Sequence, residues 1–213
     1  MEIIQKYFSE FSAKQLHQFE SLKGLYTAWN EKINVISRND MDNFYVHHLL
    51  HSLALAAKFD LQKDMEVLDL GCGGGFPGIP LAIFFPATNF HLVDSINKKL
   101  KVVDEIVNAI GVNNVTTQHT RAEDIKNRKF DLVISRAVAP LKDLWHWSKP
   151  LLRKDNRQEE GSFIPNGLVC LKGGDLTKEI FESGCKPFVW EIESLFPESH
   201  FSQKFILYVP FKK

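Results

Sequence analysis

The stretch Met65-Glu-Val-Leu-Asp-Leu-Gly-Cys-Gly-Gly-Gly-Phe-Pro-Gly-Ile-Pro80 leaves few folds open to this chain. It begins as a short apolar run, Val67 to Leu70, of the kind shown by a strand buried on both faces of a parallel sheet. It then breaks into Gly71, Gly73, Gly74, Gly75 and Gly78, and an apolar segment of helical character follows from Ile79 to Phe85. Strand, glycine turn and helix in that order make the first crossover of a nucleotide-binding α/β fold. Glycines let the chain turn sharply and let a ligand approach where a Cβ would collide. The helix that follows points its free N–H groups toward that ligand.

Two ligands compete for this loop. Gly73-x-Gly75-x-x-Gly78 fits the dinucleotide fingerprint, a weak signal by itself. Asp69-x-Gly71-x-Gly73-x-Gly75 fits the acid-first motif of S-adenosylmethionine methyltransferases. That cofactor has no pyrophosphate to set on a helix N-terminus. It carries an ammonium and a sulfonium, and the Asp69 carboxylate at the strand end supplies negative charge nearby.

The chain of 213 residues is long enough for one sizeable core, read as a single domain with an extension. No apolar run reaches the 18 or so residues of a membrane span, and the start, Met1-Glu-Ile-Ile-Gln-Lys, lacks the basic-then-apolar pattern of a secretory signal. Cys72, Cys170 and Cys185 have no metal spacing and read as reduced thiols, which together with the missing signal places the protein in the cytoplasm. Formal net charge is zero, so binding to nucleic acid would rest on local patches.

Residues 1 to 60 read as helical. Ile3, Ile4, Tyr7, Phe8 and Phe11 make a short amphipathic stretch, and Ser12-x-x-Gln15 is a capping box for a second helix carrying Leu16, Phe19, Leu22, Tyr26 and Trp29 toward a core. Asn39 or Asp40 would cap a third helix with Val46, Leu49, Leu50, Leu53 and Ala57. His47, His48 and His51 on that helix lack a third ligand and read as hydrogen-bonded or solvated histidines, with no metal.

From Met65 onward strands and helices alternate, the signature of a parallel sheet. Phe90 to Asp94 is a second strand whose Asp94 lies about 20 residues past the glycine loop, where such folds place an acid on the ribose hydroxyls. The same residue could also cap the helix from Ser95 to Ile110, which opens on Lys98, Lys99 and Lys101, read first as a solvated face and second as the seat of an anionic neighbour. Val115 to Thr120 is a third strand, with Arg121-Ala-Glu-Asp124 at its exit, where the adenine would lie. Phe130 to Ser135 is a fourth, with Arg136 at its exit facing the cofactor or substrate. Leu141 to Leu152 reads as a helix and Arg153 to Gly161 as a charged loop. Asn166 to Lys172 is a fifth strand, and Phe188 to Leu195 with Lys204 to Val209 forms a terminal antiparallel pair.

The exit of the fourth strand narrows the chemistry. Methyltransferases of amino groups carry there an acidic or amide residue, two prolines and an aromatic; this chain has Ser135-Arg136-Ala137-Val138. Methylation of a pyrimidine carbon needs a nucleophilic cysteine, and Cys72 and Cys170 are not placed for it. An acceptor with a free lone pair, such as guanine N7, needs neither base nor nucleophile, only in-line placement and exclusion of water.

Taken together, Asp69-Leu-Gly-Cys-Gly-Gly-Gly-Phe-Pro-Gly-Ile-Pro-Leu81, Leu92-Val-Asp-Ser95 with Lys98, Arg121-Ala-Glu123, Phe130-Asp-Leu-Val-Ile-Ser-Arg-Ala137 and Leu171-Lys-Gly173 closely resemble the bacterial glucose-inhibited division protein B family. Its members are guanine-N7 methyltransferases of small-subunit ribosomal RNA. Trp29-Asn, Ile33-Asn and His48-Leu-Leu-x-Ser52 extend the match, which runs over about residues 25 to 210. The resemblance implies a class I S-adenosylmethionine-dependent methyltransferase, an α/β fold with a seven-stranded, mostly parallel sheet. Residues 1–60 would form a helical cap on a domain at 61–213, the two being one structural unit.

The resemblance also implies roles. Gly71 and Phe76 would make the glycine-loop contacts to the cofactor, with Asp69 and Gly73 in the same loop. Asp94 would hold the ribose, Ala122 and Glu123 would frame the adenine, and Arg136 would act in catalysis between cofactor and RNA. Lys172 and Lys98 would touch RNA. The partner would be small-subunit ribosomal RNA or the 30S subunit, met by a monomer with no metal and no membrane contact. Where the family carries Asp before the serine of its His-x-x-Asp-Ser motif, this chain has His51, and its loop from Arg153 to Ile164 is longer than in many members. The two rival readings are a NAD-dependent oxidoreductase and a non-catalytic RNA-binding or assembly module.

Overall fold

A computed structural model describes residues 1–37, 40–136, 138–154 and 166–211. Its seven strands are β1 (Glu66–Leu70), β2 (Asn89–Asp94), β3 (Val115–His119), β4 (Leu132–Arg136), β5 (Gly167–Gly173), β6 (Phe188–Glu191) and β7 (Lys204–Pro210). They form one sheet in the order β3-β2-β1-β4-β5-β7-β6. The first five run parallel, and β7 inserts antiparallel between β5 and β6. Strand order reverses between β1 and β4, so a crevice opens at their carboxyl ends, where open α/β sheets bind ligands.

Side chains alternate along every inner strand. Val67, Leu92, Leu132, Ile134 and Val169 enter a core on one face of the sheet. Leu68, Leu70, Val93, Val133 and Leu168 enter a second core on the other. Burial on both faces is why β1 and β4 read as unbroken apolar runs. The first face is covered by α1 (Glu2–Tyr7), α2 (Ala13–Asn30), a π-helical turn (Tyr45–Leu50), α3 (His51–Leu53), α4 (Gly78–Phe84) and α5 (Asn97–Ala109). The second is covered by α6 (Leu141–Ser148) and α7 (Thr177–Ser183).

The N-terminal helices share the first core with the sheet. The capping box forms as expected: Gln15 N–H donates to Ser12 Oγ at 3.3 Å, and Ser12 N–H to Gln15 Oε1 at 3.0 Å. The Gln15 amide also donates to the carbonyls of Ile83 and Phe84 at the end of α4, so the residue that starts α2 also ties it to the sheet domain. Phe19, Leu22 and Tyr26 of the expected stripe are fully buried. Tyr26 lies against Phe44 and Phe76, with ring centroids 5.5 and 4.9 Å away, and its hydroxyl donates to the carbonyl of Gly74 in the glycine loop.

Three boundaries differ from expectation. The third helical segment starts at Tyr45, because the Asp40 carboxylate meets His47 Nδ1 at 2.9 Å instead of capping a helix; Asn39 lies outside the described residues. The α6 helix ends at Ser148, since Pro150 has no N–H to continue it, and the chain leaves through a short 3₁₀ turn. β6 stops at Glu191, where another 3₁₀ turn begins. Most of the charged loop after Arg153 lies outside the described residues. Among the described residues no helix is long and apolar enough to cross a membrane.

Tyr26→Phe should keep the ring packing but leave the Gly74 carbonyl without its buried donor. A loss of about 1–3 kcal/mol is expected, read as a lower urea midpoint at unchanged slope. An unchanged midpoint would show that cap and glycine loop are not coupled through this bond.

Candidate active site

The glycine loop is held from beneath by a carboxylate. Asp69 Oδ2 accepts the N–H of Gly78, the first residue of α4, at 2.8 Å. A Cβ on Gly78 would lie 2.6 Å from that oxygen, so only glycine allows the approach. Asp69 is fully buried, and its second oxygen, Oδ1, has no hydrogen-bond partner among the described residues. Burial pushes its carboxyl up to about 7, opposed by the Gly78 N–H and by the charge of Arg136 and reinforced by Asp94.

Asp94 at the end of β2 is not the cap of α5, whose N-cap is Ile96, but it accepts two backbone N–H groups. Its Oδ2 accepts the N–H of Gly73 and its Oδ1 that of Ile96, each at 2.8 Å, so it fastens the loop to β2 while turning the chain into α5. It also lines an open cleft. Gly71, Ala122 and Glu123 line the same cleft, as expected, beside Leu70, Val93, Ser95, Thr120 and Arg121. Gly73, in the left-handed region at φ +57°, turns an open side outward: a Cβ there would meet nothing within 4 Å.

Two further residues of the cleft, Val138 and Trp147, escaped the sequence reading. Val138 covers Gly71 so closely that a Cβ on that glycine would come within 2.6 Å of it. Trp147 carried only the signal of an aromatic on a helix, which points to a core as readily as to a site.

Arg136 and Phe76 lie apart from this cleft's lining. By strand alternation Arg136 points to the face covered by the N-terminal helices, as Asp69 does. Its guanidinium carbon is 5.1 Å from the centroid of the Phe76 ring, within the range of a cation–π contact. Nη1 donates to the His47 carbonyl at 3.4 Å, and Nη2 is 3.2 Å from His48 Nδ1. A guanidinium only donates, so His48 accepts at Nδ1 and is neutral. Burial and the Arg136 charge press His48 down to about 3, while burial lowers Arg136 itself to about 10 and leaves it charged at neutral pH. His48 thus joins the site through a partner that no local pattern reveals.

Lys172 is not presented for RNA as expected. On β5 it points to the α6–α7 face, is 9% exposed, pairs with Glu179 at 2.7 Å and donates to the carbonyl of Ala139. Glu179 in turn accepts the N–H of Leu141, the first residue of α6, at 2.7 Å. The pair fixes the β4–α6 connection instead of a phosphate. Lys98 is exposed on the first turn of α5, close in sequence to the cleft residue Ser95.

The helix histidines are partly as read. His47 bonds to Asp40 and stacks on His200 at 3.7 Å between centroids; His51 meets the edge of His200 at 5.9 Å. Among the described residues no group of His, Cys, Asp and Glu is arranged to hold a metal ion. Burial pushes the Cys170 thiol up to about 12 and raises that of Cys72, so neither is a ready thiolate.

The family model described as rRNA small subunit methyltransferase G (GidB) matches residues 15–196. The chain belongs to this family. Relatives named ribosomal RNA small subunit methyltransferase G include one from Phocaeicola vulgatus, 53% identical over 98% of both chains. One from Porphyromonas gingivalis is 50% identical over 98% of this chain and 93% of its own. Among solved structures, a mutant of MtNAS in complex with S-adenosylmethionine superposes with a TM-score of 0.59 at 12% identity, covering 93% of this chain and 76% of that one. A fibrillarin/Nop5p complex gives 0.54 at 15% identity, covering 77% and 80%. At such identities these two show the likeness of fold alone.

The residues present fit S-adenosylmethionine. Asp69 offers a buried acceptor, unpartnered among the described residues, for a cation. Gly73 leaves an open face, and Asp94, Ala122 and Glu123 line one cleft.

Asp69 gives the site a pH signature. Its folded carboxyl titrates near 7 against 3.8 when free, so its ionisation costs stability as pH rises from about 4 to 7. A bound ammonium favours the ionised form. Affinity for S-adenosylhomocysteine, measured by calorimetry, should therefore rise from pH 6 to 8, and Asp69→Asn should bind more weakly with the rise flattened. An unchanged pH profile in Asp69→Asn would remove Asp69 from the ligand site.

Proposed function

We propose that the protein transfers a methyl group from S-adenosylmethionine to N7 of a guanine in small-subunit ribosomal RNA. The observation that carries this reading is the cleft at the carboxyl ends of β1 to β4, where the glycine loop, Asp94 and the Ala122–Glu123 turn meet in a chain of the rRNA small subunit methyltransferase G family.

Bound S-adenosylmethionine supplies a methyl group on a positively charged sulfur. Guanine N7 has a free lone pair and no proton to lose, so the chain's task is to hold, orient and keep out water. Asp94 keeps acceptor capacity beyond its two backbone bonds and is assigned the ribose hydroxyls. Ala122 leaves room for a base plane and Glu123 stands at its exposed rim. Gly71, Gly73 and Asp69 are assigned the amino-acid end, with the free Asp69 oxygen toward the ammonium. Arg136, anchored to the cap through His48 and the His47 carbonyl, is assigned the positioning of Phe76 and of the loop at the exit of β4, next to the acceptor base. Lys98 is assigned a phosphate of the RNA. Lys172 and Glu179 hold the wall carrying Val138. The acceptor is the ribosomal RNA itself, free or within the 30S subunit, and the enzyme works as a monomer.

Small-subunit RNA and intact 30S subunits from cells lacking the protein, incubated with purified enzyme and S-adenosylmethionine, should both be analysed by nucleoside mass spectrometry. New 7-methylguanosine is the expected result, and the arm in which it appears identifies the acceptor state. A different methylated nucleoside, or none in either arm, would overturn the reading. In the same assay Arg136→Ala should lower turnover by about 10-fold or more; a fully active variant would take Arg136 out of the site.

A further inference from the structure

We infer that Trp147 is the aromatic wall against which the cofactor's purine stacks. The inference rests on the reading of the cleft as the S-adenosylmethionine site. Among the described residues lining that cleft Trp147 is the one aromatic, and it stands there with Ala122 and Glu123. The larger apolar side chains of the lining, Leu70, Val93 and Val138, are aliphatic and offer no flat π-face. The α6 helix that carries Trp147 packs directly against the 3₁₀ turn Ala122–Asp124, so indole and turn belong to one end of the cleft, and Asp94 marks the ribose end.

Position on the helix explains why this tryptophan and not its neighbour faces the ligand. Leu141, Leu144 and Ser148 form the buried stripe of α6. Trp147 is half-buried beside that stripe, packed against the second core and among the residues lining the cleft. Trp145 turns instead to Phe211, at 6.3 Å between ring centroids. The wall is held in place: Glu179 accepts the first N–H of α6, and Lys172 binds both Glu179 and the Ala139 carbonyl just before the helix. A rigid flat face loses little entropy on binding a flat ligand.

The test uses the full-length protein, S-adenosylhomocysteine as probe, and calorimetry with intrinsic fluorescence. Stacking of a base on an aromatic side chain predicts that Trp147→Ala weakens binding by about 5- to 150-fold. Trp147→Leu, which restores apolar volume without a π-face, should stay weakened about 5-fold or more, and Trp147→Phe should bind within about 5-fold of wild type. The ligand should quench tryptophan fluorescence in wild type and in Trp145→Phe, and the quench should vanish in Trp147→Phe while that variant still binds. Wild-type affinity in Trp147→Leu, or a quench that persists in Trp147→Phe, overturns the inference. Absence of binding by the wild-type protein overturns the reading of the cleft, and the inference with it. Trp147→Phe and its quench keep the test decisive where Trp147→Ala does not fold.

Discussion

A carboxylate sealed beneath the glycine loop is the constraint on which the site depends. Asp69 gives one oxygen to the N–H of Gly78 and keeps the other, among the described residues, unpaired in a fully buried position. Burying a polar atom without a partner costs a folded protein free energy, and the carboxyl answers by titrating near neutrality. That bond sets where α4 begins, and hence how the loop from Gly71 to Gly78 must arch from β1 to the helix. Asp94 fastens the same loop from the side through Gly73, and Tyr26 from above through Gly74. Two acids and a tyrosine from three separate elements thus fix one turn of backbone.

The sheet divides the work around this loop. On one face the N-terminal helices close over Phe76 and Arg136 and seal the buried charge: the guanidinium finds a ring, a neutral imidazole and a carbonyl in place of water. At the carboxyl edge, Gly71, Asp94 and the Ala122–Glu123 turn leave a cleft open. On the other face the Lys172–Glu179 pair braces α6, which supplies the far wall. Most residues lining the cleft lie close to strand ends, and the parts that hold them come from far along the chain. The cap is therefore tied to the glycine loop as well as to the core.

What was legible in the sequence follows that division. Strand ends followed by Gly or Asp are local patterns, so Asp69, Gly71, Gly73 and Asp94 stand out by spacing, Ala122 and Glu123 through the family resemblance at a strand exit, and the seven strands by apolar runs and turn residues. Arg136 was found by position but not by direction. Its parity with Leu132 and Ile134 sends it to the capped face, a fact useful only once the cap is known to lie there. Lys172 sits at a strand end like the others, yet its charge is spent on Glu179, an ion pair between a strand and a helix with no sequence signature. His48, Trp147 and the stacking of His47 on His200 belong to the same class: contacts made by packing, invisible to periodicity. The missed boundaries at Tyr45 and Ser148 have local causes, the Asp40–His47 bond and Pro150.

The central claim is that one cleft, bounded by Gly71, Asp94, the Ala122–Glu123 turn and Trp147, takes the cofactor with its cationic end toward Asp69. A crystal structure of the protein with S-adenosylhomocysteine tests it most directly. The account predicts density for the nucleoside in that cleft, with the ribose on Asp94 and the amino group on the Asp69 side of the glycine loop. Density at another site, or the ligand reversed with its base on the glycine loop, would contradict it.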